Sequence, residues 1–440
     1  MKAVIIAGGK GTRLGLSDIP KPMVPVCGKP LLEHQLLLLK THGITEVIFL
    51  TGYLSEKIED YFQDGAAWGM QLSYIKEEKA LGTGGAVLQL LGKIDERFLV
   101  LYGDVVMDFD ITSFIGFDAQ EDSVASLIVH PNDHPYDSDL VERDQDRITR
   151  FISKPHPDGL LYENLVNAAV YIFSPRIFDY IPQGVASDFG KDVFPKVISD
   201  GGLLRAYLNA EYIKDLGTPD RLSKVEKDLS SGKIARWNLK NKRPAIFLDR
   251  DGVINEEVDN LSDITKFKLL PGVSSAIKKI NQSDFLAIVI TNQPAVAKGF
   301  LTVSELEDIH KLLQTELGKE RAFVNHIYYC PHHPDSGFEG EVKALKTNCN
   351  CRKPQTGMID QAVAQYNIDL KSSYFIGDTT TDMRTAENAG IPGILVETGY
   401  AGEDGKYDAR AHLKVENLEA AIECILTQSK KENDHIENAV

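Results

Sequence analysis

The segment FLDRDGVIN, Phe247 to Asn255, ends an apolar run with two aspartates one residue apart, followed by a glycine. In an extended chain, residues i and i+2 project to the same side, so Asp249 and Asp251 are predicted to face one site while Arg250 points away. Such carboxylates repel each other unless they bind Mg²⁺ or divide labour as nucleophile and general acid-base. Gly252 permits the tight turn that follows. A solvated pair of strand-end aspartates is the alternative interpretation.

The composition indicates a globular protein of more than one domain. The chain has 440 residues, which favours two or three domains, with 43% hydrophobic and 25% charged residues. Its net charge of −16 argues against nonspecific nucleic-acid binding. The sequence has neither an apolar run approaching the roughly 18 residues of a membrane span nor a signal peptide at its start. We therefore expect a cytoplasmic protein, without membrane or nucleic-acid partners, whose five cysteines are reduced.

Strand-like and helix-like segments alternate along the chain, which predicts two doubly wound α/β domains. The first series begins with KAVIIAGG, and a second series begins after Pro244 with AIFLDRDG. Between Ser123 and Phe173 the strands are shorter and favour an antiparallel or mixed region. The predicted limits are a first domain at 1–232, a linker at 233–243, a second domain at 244–428 and a flexible tail at 429–440. Ligands are expected at the carboxyl ends of the strands.

The first series opens with a glycine-rich loop, AGGKGTRLG, after a predicted buried strand. Gly8, Gly9 and Gly11 allow backbone N–H groups to approach an anion closely. The loop is not a Rossmann fingerprint, because Leu14 stands where the third glycine is due, and it is not a Walker A loop. Arg13 and the proline-flanked Lys21 add cations. A glycine turn with surface cations is the alternative interpretation.

The segments AGGKGTRL and IPKPMVPVCGKPLLEH resemble the sugar-1-phosphate nucleotidyltransferase family, and the agreement continues over about 220 residues. The resemblance implies that a sugar phosphate oxygen attacks the α-phosphorus of a nucleoside triphosphate and displaces pyrophosphate. One departure is Gly190, where the family often has glutamate. The implied residues are Gly8, Gly9, Gly11, Thr12, Arg13 and Lys21 for the triphosphate, Leu81, Gly82, Thr83, Gly84 and Gly85 for base and ribose, Asp104 and Asp215 for catalytic Mg²⁺, and Lys154, Asn167 and Lys191 for the sugar phosphate.

In the second series, FLDRDGVIN, VITNQ, CRKP and FIGDTTTD follow the motif order of the haloacid dehalogenase-like phosphatases. The resemblance implies that Asp249 forms an aspartyl phosphate while Asp251 serves as general acid and then base. It further implies Asp378 as an Mg²⁺ ligand together with Asp249 and the carbonyl of Asp251, and Asp382 as their support. The remaining implied residues are Thr291 and Lys353 for the transferring phosphoryl group and Asn292 and Arg352 for substrate.

Four residues in YYCPHHP and NCNCRKP offer three thiolates and an imidazole, namely Cys330, His332, Cys349 and Cys351. They predict a closed tetrahedral Zn²⁺ site that fixes the loop carrying the phosphate-binding cations; small apolar cysteines clustered by chance are the alternative. This loop resembles that of the heptose 1,7-bisphosphate 7-phosphatases and the related histidinol phosphatases. Departures are EEVDN after DGVIN and Pro294 after TNQ, both on the expected substrate side.

The two resemblances together imply a bifunctional enzyme of nucleotide-activated heptose biosynthesis. Loss of the 7-phosphate from heptose 1,7-bisphosphate gives heptose 1-phosphate, which the first domain would activate. That domain resembles the heptose 1-phosphate guanylyltransferases through LGTGGA, Leu81 to Ala86. The implied product is GDP-heptose, a precursor of surface polysaccharide or S-layer glycan. The alternatives are another sugar or nucleotide, a histidinol-phosphatase-like second domain, or a module that senses nucleotide sugars without turnover.

Overall fold

The computed structural model describes residues 1–9 and 18–437, except for the side chains of residues 430–437. Gly11, Thr12 and Arg13 of the predicted triphosphate loop lie outside the described residues. The chain forms two compact units. The first unit comprises Met1–His130, Asp137–His156 and Leu165–Lys240, and the second comprises Pro131–Tyr136, Pro157–Asn164 and the chain from Asn241 onward.

The first unit is built on a nine-stranded mixed sheet with the order β5-β4-β1-β6-β11-β8-β12-β10-β9. Strands β1, β4, β5 and β6 are parallel, whereas β11 runs antiparallel to β6 and β8. The strands of this unit are β1 (Lys2–Ala7), β2 (Pro25–Val26), β3 (Lys29–Pro30), β4 (Glu46–Thr51), β5 (Gln71–Lys76), β6 (Phe98–Tyr102), β7 (Val105–Asp108), β8 (Ala125–His130), β9 (Leu140–Asp144), β10 (Arg147–Ile152), β11 (Val166–Phe173), β12 (Leu204–Leu208) and β13 (Tyr212–Asp215). Its helices are α1 (Leu31–Thr41), α2 (Ser55–Phe62), α3 (Gly82–Leu88), α4 (Ile111–Asp118), α5 (Phe194–Ser199), α6 (Pro219–Ser230) and α7 (Lys233–Arg236).

The central strands of this sheet are buried on both faces. Successive residues of β1 alternate between two hydrophobic clusters, with Ala3 and Ile5 in one and Val4 in the other. Strand β6 alternates in the same way, with Leu99 in the first cluster and Val100 in the second. Because both clusters also contain helical residues, the sheet is covered on each side, as parallel strands require. The doubly wound first domain with its mixed region is therefore confirmed.

The second unit contains a parallel six-stranded sheet with the order β16-β15-β14-β17-β18-β19. Its strands are β14 (Ala245–Leu248), β15 (Leu286–Asn292), β16 (His326–Cys330), β17 (Tyr374–Gly377), β18 (Gly393–Val396) and β19 (Leu413–Val415). Its helices are α8 (Val273–Gln282), α9 (Pro294–Ala297), α10 (Val303–Lys319), α11 (Gly357–Tyr366), α12 (Thr380–Ala389) and α13 (Leu418–Glu437).

In both units the strand order reverses between the first strand and its later neighbour, β6 in one and β17 in the other. A doubly wound sheet opens a crevice at the carboxyl ends of such a pair, because the flanking connections leave on opposite faces. Gly8 and Asp104 follow β1 and β6 in the first unit, and Asp249 and Asp378 follow β14 and β17 in the second. The topology therefore brings the predicted residues to the switch points.

The predicted domain limits stay a prediction. Helix α7 lies in the predicted linker, and helix α13 extends through residues 429–437 of the predicted tail. Among the described residues, none of the helices combines the length and apolar composition that crossing a bilayer requires.

Candidate active sites

A cavity of about 230 Å³ opens at the switch point of the second sheet. Its walls come from the loops that follow β14, β15, β17 and β18 and from the loop before α11. The seven residues predicted for phosphate chemistry in this unit all line it, and they are Asp249, Asp251, Thr291, Asn292, Arg352, Lys353 and Asp378.

Lys353 lies buried between two carboxylates. Its Nζ contacts Asp249 Oδ2 at 2.8 Å and Asp382 Oδ1 at 2.6 Å. Burial and the neighbouring carboxylate of Asp382 raise the pKa of Asp249 to about 7, an effect that the Lys353 cation opposes. Because the two carboxylates draw the proton onto the amine, the pKa of Lys353 lies above its ordinary value despite burial. The lysine is therefore a fixed positive charge beside Asp249.

The residues around Asp378 fit a hard divalent cation. Carboxylate oxygens of Asp249, Asp378 and Asp382 lie within 4.8 Å of one another. Within the described residues, the buried Asp378 Oδ1 has no hydrogen-bond partner, and burial together with the Asp382 carboxylate raises the pKa of Asp378 to about 9. A Cβ on Gly252 or on Gly399 would lie 2.4 or 2.2 Å from Asp378 Oδ2, so these glycines leave room around that carboxylate. Closely spaced carboxylates with an unsatisfied oxygen suit Mg²⁺.

Asp251 lines the same cavity as Asp249, as the spacing predicts, and its carboxylate is fixed by hydrogen bonds from neighbouring side chains. Its Oδ2 accepts hydrogen bonds from Arg250 Nη2 at 2.9 Å and from Gln293 Nε2 at 2.8 Å. Its Oδ1 accepts from Asn255 Nδ2 at 2.8 Å. Arg250 points away from the cavity and is fully buried, so the intervening residue orients Asp251.

The TNQ segment positions its neighbours. Asn292 Nδ2 donates to the Lys353 carbonyl at 3.1 Å, and Asn292 Oδ1 accepts from the Lys353 amide at 2.9 Å. Gln293 Nε2 also donates to Thr291 Oγ1 at 2.9 Å. The side chain of Asn292 thus fixes the Lys353 backbone through two hydrogen bonds. Thr291 is buried and lines the cavity.

The predicted zinc ligands form one compact group. The Sγ atoms of Cys330 and Cys349 are 3.5 Å apart, and Cys351 Sγ lies 3.3 and 3.2 Å from them. His332 Nδ1 lies 3.6 Å from Cys330 Sγ and 3.3 Å from Cys351 Sγ. These sulfurs are too far apart for a disulfide, which needs about 2.05 Å. They approach the roughly 3.8 Å that tetrahedral bonds of about 2.3 Å give. The donor set therefore fits Zn²⁺.

In the first unit, the two predicted Mg²⁺ ligands are neighbours on a β-ribbon. Asp215 pairs with Val105 across β13 and β7, and the amide of Leu216 donates to the Asp104 carbonyl at 2.9 Å. The two carboxylates each contact a cation. Lys21 Nζ lies 2.5 Å from Asp104 Oδ2, and Arg221 Nη1 lies 2.5 Å from Asp215 Oδ2.

The glycines of LGTGGA are explained by close packing between two chain segments. A Cβ on Gly82 would lie 2.4 Å from the Ser187 carbonyl oxygen, and a Cβ on Gly84 would lie 2.4 Å from Ser187 Oγ. Thr83 Oγ1 donates to Asp188 Oδ2 at 3.1 Å and accepts from the amide of Phe189. Their assignment to base and ribose, together with that of Leu81 and Gly85, stays a prediction.

The other predicted residues of this unit have local partners. Lys154 Nζ donates to the carbonyl of Asp137 at 2.6 Å, and Asn167 Nδ2 donates to Tyr171 Oη at 2.9 Å. Lys191 lies exposed in a short π-helix, Phe189–Val193. Gly9 follows β1 and is exposed. Their assignment to the triphosphate and the sugar phosphate stays a prediction.

Several residues at these sites escaped prediction from the sequence. Glu77 lies beside Gly8, the first residue after β1, since a Cβ on Gly8 would meet Glu77 Oε2 at 2.7 Å. Within the described residues its buried Oε1 has no hydrogen-bond partner, and burial raises its pKa. Gln293 was available as part of the TNQ motif, and Asn255 as the last residue of DGVIN. No sequence pattern signals Glu77.

Comparison with known proteins agrees with this geometry. The family model "Nucleotidyl transferase" matches residues 2–232, and the model of HAD-hydrolase-like proteins matches residues 350–421. A UTP–glucose-1-phosphate uridylyltransferase from Synechocystis is 35% identical over 63% of this chain and 69% of its own. A mannose-1-phosphate guanylyltransferase from Mycobacterium tuberculosis is 34% identical over 52% of this chain and 65% of its own. A D-glycero-α-D-manno-heptose-1,7-bisphosphate 7-phosphatase from Photorhabdus laumondii is 40% identical over 36% of this chain and 86% of its own.

The fold and the two sites thus define a bifunctional enzyme that combines nucleotidyl transfer with hydrolysis of a phosphate monoester. The chain belongs to the nucleotidyl transferase family, with a HAD-like phosphatase as its second unit. The prediction of a bifunctional enzyme of the heptose pathway is confirmed at this level.

Proposed function

We propose that the second unit removes the 7-phosphate of D-glycero-D-manno-heptose 1,7-bisphosphate and that the first unit transfers GMP from GTP to the resulting heptose 1-phosphate. The products are inorganic phosphate, pyrophosphate and a GDP-heptose. The observation that carries this proposal is the union in one chain of a nucleotidyl transferase with a unit similar to a heptose bisphosphatase. The phosphatase product is the kind of substrate that the first unit consumes.

In the phosphatase, an Asp249 carboxylate oxygen attacks phosphorus, and the bond from phosphorus to the sugar oxygen breaks. Asp251 donates its proton to the leaving oxygen, then accepts a proton from the water that hydrolyses the aspartyl phosphate. Lys353 keeps a positive charge next to Asp249, which favours the ionised nucleophile and offsets the charge of the incoming phosphate. Thr291 and the Lys353 ammonium would contact the transferring group.

Asp249, Asp378 and the backbone carbonyl of Asp251 would hold Mg²⁺, which would supply positive charge to offset the phosphoryl oxygens and the carboxylates. Asp382 gives one oxygen to Lys353 and the other to the start of α12, so it supports the site indirectly. The cysteine and histidine cluster would hold a structural Zn²⁺, which fixes the segment leading to Arg352 and Lys353.

In the transferase, the chain needs no side-chain nucleophile, because the sugar phosphate oxygen attacks the α-phosphorus directly. Asp104 and Asp215 would hold Mg²⁺, which would supply positive charge to offset that of the triphosphate. Lys21 already contacts Asp104, so its ammonium is near the position where charge develops. Arg13, Gly8, Gly9, Gly11 and Thr12 would hold the triphosphate. The segment from Leu81 to Gly85 would contact base and ribose, and Lys154, Asn167 and Lys191 would contact the sugar phosphate.

The test uses purified protein, Mg²⁺, GTP and D-glycero-α-D-manno-heptose 1,7-bisphosphate, followed by phosphorus NMR. The proposal expects inorganic phosphate, pyrophosphate and a GDP-sugar to appear together. Phosphate without a GDP-sugar would contradict the assignment of GTP as the nucleotide. The absence of every product would contradict the assignment of heptose bisphosphate as the substrate.

A second candidate keeps both reactions but changes the nucleotide or the sugar. It is favoured by the similarity to a UTP–glucose-1-phosphate uridylyltransferase, whose name gives a different base and sugar. A panel of GTP, UTP, ATP, CTP and dTTP against heptose, mannose and glucose 1-phosphates separates the candidates by kcat/KM. Guanine and heptose should rank first if the proposal is correct.

A further inference from the structure

Arg250 links Asp251, which lines the cavity, to a buried side chain of helix α10. Its side chain is fully buried. The guanidinium donates through Nη2 to Asp251 Oδ2 at 2.9 Å and to Oδ1 at 3.0 Å. Its Nη1 lies 3.2 Å from Nε2 of His310, which projects from α10 sixty residues away. Asp251, the general acid proposed above, is therefore hydrogen-bonded to an arginine whose other terminal nitrogen contacts His310.

The contact between Arg250 and His310 determines the tautomer of the imidazole. An arginine guanidinium has N–H donors and no acceptor, so His310 Nε2 must present a lone pair and the ring proton must lie on Nδ1. Burial and the Arg250 cation hold the pKa of His310 well below its ordinary value. The imidazole therefore stays neutral and keeps accepting, and the ring of Tyr329 packs beside it with centroids 5.4 Å apart.

We infer that His310 is a positioning residue of the phosphatase, which acts on Asp251 through Arg250. Without the imidazole acceptor, Nη1 is left as a buried charged donor and the guanidinium is drawn to other partners. The paired contact from Arg250 to both Asp251 oxygens then loosens. Asn255 and Gln293 still donate a hydrogen bond to one oxygen each, so the Asp251 carboxylate stays in the cavity but its orientation is no longer fixed. This inference rests on the proposed role of Asp251.

The experiment compares two leaving groups in the full chain. From a sugar phosphate the sugar leaves as an alkoxide and needs the proton from Asp251, whereas from p-nitrophenyl phosphate the leaving group is a stable phenolate and does not need it. Hydrolysis of the aspartyl phosphate needs Asp251 as a base in both cases. The variants are His310→Leu, which removes the acceptor, and His310→Gln, which can restore one. Leu313→Met, a volume-conserving change in the buried face of α10, is the control.

For His310→Leu we expect kcat on the sugar phosphate to fall by about 10- to 100-fold, part of the roughly 10²- to 10⁴-fold that general acid-base catalysis contributes. Aspartyl phosphate formation from p-nitrophenyl phosphate, measured as a rapid-quench burst, should change by less than about threefold. His310→Gln should recover most of the loss, and Leu313→Met should resemble the wild type. In an Asp251→Asn background, His310→Leu should add little.

Equal losses with both leaving groups, or full additivity with Asp251→Asn, would show a merely structural histidine and overturn the inference. An unchanged His310→Leu enzyme would overturn it as well. Failure of the proposed function is distinguishable, because a wild-type protein that releases phosphate from neither compound would refute the phosphatase itself.

Discussion

The ammonium group of Lys353 lies between Asp249 and Asp382, with only 2% of its side chain exposed. Removing one partner from a buried ionic group leaves uncompensated charge, which typically destabilises a protein by about 3–5 kcal/mol. We therefore predict that Lys353→Met lowers the free energy of unfolding by about that amount and abolishes phosphatase activity. Urea unfolding of the full chain in EDTA measures the first effect, and phosphate release the second.

The matched control is Lys346→Met, since only 7% of the Lys346 side chain is exposed but its ammonium is paired with Glu341, at 3.5 Å, and not with Asp249 or Asp382. It should be clearly less destabilising. If the two variants lose the same stability, the carboxylates around Lys353 are not the reason for its effect.

At the residue scale, the sequence indicates the carboxylates that come together in the cavity better than it indicates the residues that hold them. Asp249, Asp251 and Asp378 stand at the ends of strand patterns, where spacing alone brings carboxylates to one edge. Gln293 and His310 contact Asp251 or Arg250 across 42 and 60 residues of chain, and no local pattern encodes such pairs. Arg250 is an example: the period-two pattern of a strand correctly predicts that its side chain points away from the cavity, but it does not predict which residues that side chain contacts.

Among the elements, the loop from β16 to α11 joins the predicted zinc ligands to Lys353, the predicted catalytic lysine. Cys351 is two residues from Lys353, whose backbone is clamped by Asn292. Cys349→Ser should release zinc and let this loop move, because a metal that closes a loop fixes the residues beside it. We expect phosphatase kcat to fall about tenfold or more while nucleotidyl transfer is unchanged.

Zinc content by elemental analysis and the two activities check this together. Cys424→Ser, at a cysteine outside the cluster, is the control and should keep its metal. A Cys349→Ser protein that has lost zinc but keeps full phosphatase activity would contradict the structural role of the site.

One carboxylate ties three elements of the first unit together. Glu211 Oε1 accepts from the amide of Asp110 at the start of α4, at 2.9 Å, and from that of Leu239 after α7, at 2.7 Å. Burial raises its pKa from 4.5 to about 7. An acid whose folded-state pKa is raised contributes stability that is present below pH 4.5 and is lost as the pH rises through 7. That shift corresponds to about 3 kcal/mol.

Glu211→Gln keeps an oxygen acceptor for both amides but cannot ionise. We predict that its stability relative to the wild type rises by up to about 3 kcal/mol between pH 4.5 and pH 8, above a constant offset from the changed contact with Asn209. Thermal unfolding at several pH values measures the difference. Glu46→Gln, at an exposed glutamate, should show no such trend, and a pH-independent difference for Glu211→Gln would contradict the raised pKa.

The two sheets were predictable as α/β layers because their strands are apolar and separated by helical segments. Their order was not, since parallel pairing joins strands far apart in the chain, such as β14 with β17. The packing of Gly82 and Gly84 against Ser187 is equally invisible in the sequence, because a glycine motif does not show whether a ligand or another segment approaches it. Element types follow from local pattern, whereas crevices follow from topology.

At the scale of the whole molecule, each unit carries a complete set of predicted catalytic residues. Asp249→Asn removes the proposed nucleophile of the second unit and should abolish phosphate release while leaving transfer to supplied heptose 1-phosphate intact. Asp104→Ala should do the reverse. The net charge of −16 gives an anionic intermediate no electrostatic reason to stay on the protein between the two reactions. The intermediate is therefore expected to pass through solution.

Mixing the two variants tests that expectation directly. With each variant at the wild-type concentration, heptose bisphosphate and GTP should yield GDP-sugar at a steady rate within about twofold of the wild type, because small molecules diffuse freely between proteins. The lag before that rate should match the wild-type lag and shorten as protein concentration rises. Added unlabelled heptose 1-phosphate should dilute label from the bisphosphate equally in both samples. A wild-type enzyme that shows no lag and resists dilution, beside a mixture that shows both, would establish transfer within one molecule and refute independent sites.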